Sequence, residues 1–138
     1  MKFFLDDITG ASFAYSYKKL RAGYAGNCLR IRRSNDNAET DIGFGADGYI
    51  DINAVDSFLP SLGTNVFAHV VRWYDQTGNG NDATQTLGTR QPLVAFRNAS
   101  NVFVVYGLSA VGKPQGVLFN GSRFMDVPAV YNLSLIHI

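Results

Sequence analysis

Cys28 is the only cysteine in the chain, so no internal disulfide can form, and no histidine or cysteine stands near it at metal-ligand spacing. No metal or cofactor is expected from this composition. Glutamate is almost missing too: Glu39 is the only one. The two histidines, His69 and His137, lack the neighbouring Ser, Cys or Asp order of a nucleophilic triad. No apolar run approaches the ~20 residues needed to cross a bilayer. Met1-Lys2-Phe3-Phe4-Leu5 opens like a signal peptide, but Asp6 and Asp7 stop the apolar stretch far short of an h-region, so export would depend on sequence outside this chain. An excess of one charge is absent as well. Twelve basic and eleven acidic side chains leave a net charge of +1, which gives no electrostatic footprint for nucleic acid or an anionic membrane. A neutral ligand suits that balance better. Repeats, linkers and low-complexity segments are also missing, and 138 residues fit one domain or part of one.

The most informative stretch present is Val70 to Gln85, VVRWYDQTGNGNDATQ. Val70 to Tyr74 is β-branched and aromatic, as a strand requires, and it runs directly into Asp75-Gln76-Thr77-Gly78-Asn79-Gly80-Asn81-Asp82. Glycine reaches positive φ without steric cost, and Asn and Asp side chains bond nearby amides, so this octet reads as a sharp bend with polar groups facing outward.

Elsewhere the patterning is mostly that of short strands. Ala11 to Arg21 is one exception, because Phe13, Tyr17 and Leu20 fall at helical spacing behind a possible Ser12 cap. Cys28 to Arg33 alternates, with Leu29 and Ile31 on one side and Arg30 and Arg32 on the other, and Asn35-Asp36-Asn37 makes a turn. Thr40 to Phe44 and Tyr49 to Ile52 flank an Asp47-Gly48 hairpin signal. Asn53 to Leu59 suggests a helical turn capped by Asp51 or Asn53 and stopped by Pro60. Val66 to Tyr74, Ala83 to Thr86, Gln91 to Phe96 and Asn101 to Tyr106 are further strands, the last apolar enough for burial on both faces. Val117 to Asn120 and Phe124 to Val127 suggest a final hairpin. Many short strands separated by Gly, Pro and Asn predict an all-β sandwich with one or two short helices. The chain stops inside the apolar run Asn132 to Ile138, so residues 1–138 are expected to form one partial sandwich truncated at its C-terminus, the alternative being that the last residues are not native sequence.

WYDQTGNGNDATQ resembles the W/I-Y-D-Q-S-G-N-G-N segment of the α-L-arabinofuranosidase B catalytic domain family and of related domains in bacterial and phage proteins. Upstream, Ala14-Tyr15-Ser16 to Leu20, then Tyr24-Ala25-Gly26 and Leu29 to Glu39, is similar to the family's A-[YH]-S…R-x-L…Y-x-G…[VL]-x-R-x-S-D. Downstream, Gly112-Lys113-Pro114 to Gly121 resembles its N-G-x-x-A-[VY]-x-F-[DN]-G block. The resemblance implies a concanavalin A-like, LamG-like jelly roll acting on terminal arabinofuranosyl residues. It also implies an extracellular or virion-associated setting, with an arabinose-containing glycan or surface polysaccharide as partner. The family's catalytic carboxylates lie beyond the third block, so none is assigned here. A non-catalytic glycan-recognition or structural module of a phage tail or bacterial surface protein is the alternative.

Six residues are candidates for holding a sugar: Trp73, Tyr74, Asp75, Asn79, Asn81 and Asp82. Aromatic faces stack on sugars and also fill cores, and the apolar neighbours of Trp73 favour the core. Tyr74, on the opposite face of an alternating strand, is the better exposed of the two. Asp75 could accept hydroxyl hydrogen bonds, although an Asp entering a turn more often binds backbone amides. Asn79, Asn81 and Asp82 resemble half of a calcium loop, but Thr86 occupies the place of the closing glutamate. Arg30, Arg32 and Arg33 form a basic cluster, read either as a solvated strand face or as a site for phosphate or an acidic glycan. Asn98, Asn120 and Asn132 begin glycosylation tripeptides that matter only in a secreted eukaryotic chain.

Overall fold

The computed structural model describes residues 3–7, 10–108, 112–119, 121–128 and the backbone of 135–137. Its centre is a six-stranded antiparallel sheet. Strands β2 (Leu29–Arg33), β3 (Glu39–Ile42), β4 (Val66–Trp73), β6 (Leu93–Arg97) and β7 (Phe103–Val105) lie in the order β3-β2-β4-β6-β7, and β5 (Ala83–Thr84) pairs with the far end of β4. A second, two-stranded sheet joins β1 (Phe13–Tyr15) in parallel with β8 (Leu135–His137). The one α-helix among the described residues, α1, spans Ile52–Phe58. This is an all-β arrangement with an antiparallel main sheet, consistent with an incomplete sandwich.

The alternation expected of β2 and β4 is realised and sorts the sheet into two faces. Leu29, Ile31, Val66, Ala68, Val70 and Trp73 are buried on one side. Arg30 pairs with Arg72 and Arg32 with His69 on the other, with a bulge between Arg30 and Ile31 that leaves Val71 without a partner position. The buried face packs against Phe13, Tyr15 and Tyr17 and against Val55 and Leu59 at α1. Asp51 caps that helix, accepting the Ala54 N–H at 3.2 Å, and Pro60 follows Leu59, as the residue pattern suggested. The Asp47-Gly48 signal also holds: Gly48 has φ 79, and Phe44 bridges Ile50 across the bend.

Four expectations need correction. Ala11 to Arg21 is not helical: it contains β1 and otherwise runs irregularly. A helix would expose one side, whereas Phe13, Ala14, Tyr15, Tyr17 and Leu20 are all buried. Backbone groups that a helix would satisfy internally are instead met by Asp75 and Gln76 from across the fold. Strand β7 is half-buried rather than covered on both faces, because it lies at the edge of the sheet. Tyr49 to Ile52 makes only isolated bridges, and α1 begins at Ile52. Finally, the two terminal segments do not form a hairpin with one another: Leu118 bridges Leu93 and Asp126 bridges Thr84. Asn120, Asn132 and the His137 side chain lie outside the described residues.

Candidate functional site

The polar bend after β4 turns much of its chemistry inward. Gly78 (φ 89) and Gly80 (φ 77) supply the left-handed conformations that fold it back. Asp75 is 4% exposed and Gln76 is fully buried, so the expectation that these side chains face outward is corrected. The Asp75 carboxylate accepts the N–H groups of Ala14 (3.0 Å) and Thr77 (2.9 Å) on Oδ1 and that of Asn81 (3.1 Å) on Oδ2. The Thr77 hydroxyl reaches both oxygens at 2.8 Å. Gln76 accepts the Leu20 N–H at 2.8 Å and donates to the carbonyls of Ser16 (3.2 Å) and Lys18 (3.0 Å). Asn79 and Asn81 each donate to the Ser12 carbonyl, at 3.2 and 2.7 Å, and Asn79 also reaches Ala11. Asp82 accepts the Asp75 N–H and pairs with Arg72. The octet therefore fastens residues 11–21 to the end of β4. Its polar groups satisfy buried backbone that would otherwise be costly to dehydrate.

The aromatic candidates separate as β alternation requires. Trp73 lies in the core, its ring 6.2 Å from Tyr15 and 5.8 Å from Tyr17. Tyr74 is half-buried, and its hydroxyl donates to Asp41 at 2.6 Å. The structure thus brings Asp75, Asn79, Asn81 and Asp82 together, with Trp73 beneath them in the core and Tyr74 directed toward Asp41. Tyr15 belongs to this cluster but was not among the six candidates. Its hydroxyl donates to the Asn81 carbonyl, and burial, followed by Asp75 and Asp82, raises its pKa well above the ordinary phenol value. The Ala14-Tyr15-Ser16 motif contains it, but nothing local joins it to the bend, because the partner is 66 residues away.

A groove of about 760 Å³ opens over the polar face of the main sheet, lined among others by Arg32, Glu39, His69, Val71, Gln91 and Arg123. The sequence marked Arg32 only as one of a basic cluster and gave no reason to join it to Gln91. The geometry does: Arg32 Nε donates to Gln91 Oε1 at 2.9 Å, and Nη1 donates to Asn37 Oδ1 at 2.9 Å. Burial lowers the Arg32 pKa, against the pull of Glu39. His69 faces Arg32, and burial, then the positive charge of Arg32, brings its imidazole down to about 4 despite a favourable contact with the Gln91 backbone. Arg123 adds to the lowering.

The neutral state of His69 has a measurable consequence. Its folded pKa lies below the ordinary imidazole value near 6.5, so the unfolded chain binds more protons between the two values. The resulting stabilisation is complete above about 6.5 and is lost as pH falls toward 4. Thermal midpoints measured across this window should fall more steeply for the native chain than for His69→Gln. Parallel profiles would contradict a neutral buried imidazole.

Most carboxylates near the clefts are engaged. Glu39 and Asp41 pair with Arg30, Asp36 with Arg33, Asp47 with Lys113 and Asp56 with Arg97. Among the described residues, no group of three or more His, Cys, Asp or Glu side chains is placed to hold a metal ion, and no helix is long and apolar enough to cross a membrane.

The chain thus combines an antiparallel β sheet, a groove on its polar face and a tightly bonded Asp-Gln-Thr-Gly-Asn-Gly-Asn bend. A family model described as "Alpha-L-arabinofuranosidase B, catalytic" matches residues 7–114. The chain belongs to the α-L-arabinofuranosidase B catalytic domain family. No curated protein and no solved structure matches it.

Proposed function

We propose that this chain forms the sugar-holding part of a concanavalin A-like glycoside hydrolase domain acting on terminal α-L-arabinofuranosyl groups. The carrying observation is the family match over residues 7–114. The groove supports it: hydroxyl-bearing Ser34 and Thr89 and the amides of Asn37 and Gln91 offer donors and acceptors beside the apolar Val71 and Leu87. Of the six sequence candidates, Asn79 is exposed and Tyr74 half-buried, and neither lines this groove. In this reading residues 1–138 are one partial sandwich, its second layer represented among the described residues by β1 and β8.

Glycosidic hydrolysis needs two carboxyl groups flanking the bond, about 5 Å apart for retention or about 6.5–9.5 Å for inversion. The groove contains Glu39, which is tied to Arg30 at 2.9 Å. That observation supports a supply of catalytic carboxylates from outside this segment. It also favours a second reading, in which the domain recognises a glycan without cleaving it, as in a phage tail or bacterial surface protein.

Calorimetry with an arabinofuranosyl-substituted xylo-oligosaccharide, with free arabinose monitored in the same sample, tests both. The 138-residue chain should bind without releasing arabinose, and release would overturn the assignment of the carboxylates. In the full-length protein, release supports the hydrolase and binding without release supports the recognition module.

A further inference from the structure

Among five sheet arginines, four pair with carboxylates: Arg30 with Glu39 and Asp41, Arg33 with Asp36, Arg72 with Asp82, and Arg97 with Asp56. Arg32 is held differently. Its hydrogen bonds go to the amide oxygens of Gln91 and Asn37, which fix the plane of the guanidinium without neutralising it. These two bonds use Nε and Nη1 and leave Nη2 out of both. Gly88 lies beside that edge, and a Cβ there would come within 3.2 Å of Nη2.

The support beneath Arg32 is buried and directional. Gln91 is 2% exposed and donates from Nε2 to the Gln85 carbonyl at 2.8 Å, which leaves its Oε1 facing Arg32. Gln85 is equally buried, donating to the Phe124 carbonyl at 3.0 Å and accepting the Leu87 N–H at 3.1 Å. Burying two glutamine side chains is costly unless each is bonded, and here the bonds orient one cation at a groove floor. Across from it, the buried His69 Nδ1 has no hydrogen-bond partner among the described residues. Arg123 lines the same groove, and Glu39, hydrogen-bonded to Arg30, acts on Arg32 only through its charge. Arg32 therefore meets the groove with amide oxygens, and no carboxylate, as the hydrogen-bond partners of Nε and Nη1.

We propose that the groove over Arg32, His69 and Gln91 is an acidic-sugar subsite, in which the Arg32 guanidinium receives the carboxylate of a uronic acid residue. Its volume of about 760 Å³ lies within the usual range for small-ligand sites, so it accommodates a sugar ring with its substituent. Val71 and Leu87 offer apolar walls to the C–H face of such a ring. A planar guanidinium with an open edge suits a planar carboxylate. The inference rests on the carbohydrate reading above and specifies which sugar of the glycan this groove takes.

The test is calorimetric titration of the unaltered 138-residue chain with a glucuronic acid-substituted xylo-oligosaccharide, its methyl ester, and a neutral arabinofuranosyl-substituted oligosaccharide. The acid should bind at least about tenfold more tightly than the ester, a difference that shrinks with added salt. Arg32→Gln should abolish the discrimination, with circular dichroism checking its fold. Because the acid and ester are compared on the native chain, the result does not depend on that variant folding. Equal affinities, or discrimination that survives in folded Arg32→Gln, would overturn the proposal. Binding of the neutral oligosaccharide with no preference for the acid would sink the acidic subsite and leave the arabinofuranosyl reading standing. Binding of the acid without the neutral oligosaccharide would do the reverse.

Discussion

Gln76→Glu is expected to destabilise the protein by about 3–5 kcal/mol at neutral pH, despite changing a single atom type in the side chain. The site is fully buried, and the amide nitrogen of Gln76 lies 3.2 Å from the Ser16 carbonyl oxygen and 3.0 Å from that of Lys18. An ionised carboxylate would direct an oxygen toward both carbonyls, replacing two hydrogen bonds with repulsion and leaving a charge without solvent. Protonation relieves part of this, since a neutral carboxyl can donate to one carbonyl. The introduced group should therefore have a folded-state pKa above the ordinary ~4.3, so stability is retained below that value and lost as pH rises. Urea unfolding of the variant and the native chain at pH 7 and pH 4.5 should give a gap that narrows on acidification. A loss below about 1 kcal/mol that does not change with pH would mean that Gln76 is not held as described.

Asp75→Ala should cost a comparable amount, about 3–5 kcal/mol, for a different reason. Removing the carboxylate leaves the N–H groups of Ala14, Thr77 and Asn81 without their acceptor in a site that admits little water. Asp75→Asn retains one acceptor oxygen and should fall between the alanine variant and the native chain. Hydrogen exchange supplies the local readout: the Ala14 amide should become much less protected in the alanine variant than amides in the middle of β4. Unchanged Ala14 protection would show that β1 is held by something other than the bend. Against a typical domain stability of about 5–15 kcal/mol, either substitution removes a large share.

These two side chains also show why the sequence was legible only in part. Strands β2 and β4 could be read directly, because alternation of Leu29 and Ile31 with Arg30 and Arg32 is a local consequence of the pleat. The α1 cap was equally local, since Asp51 meets an amide three residues ahead. Ala11 to Arg21 misled because its helical spacing was coincidental: the contacts that settle its conformation come from Asp75 and Gln76, which are distant in sequence. Candidate groups in the bend were found by residue type, but their direction was not. Asp, Asn and Gln bind a sugar hydroxyl or a buried amide with the same atoms, and only the position of the first strand distinguishes the two in this structure. The groove went unnoticed because it joins Arg32 to Gln91 across 59 residues.

By itself the sequence determined the β-rich class, the sharp turn after β4, the capped helix and the family, since each is written in local patterning or in ordered motifs. The tertiary structure decided that the bend fastens β1, that Trp73 lies in the core, and that Arg32 faces a groove on the support of two buried glutamines. The physical reason is that a polar side chain's role depends on which groups remain unsatisfied around it, and those groups are brought together only by folding.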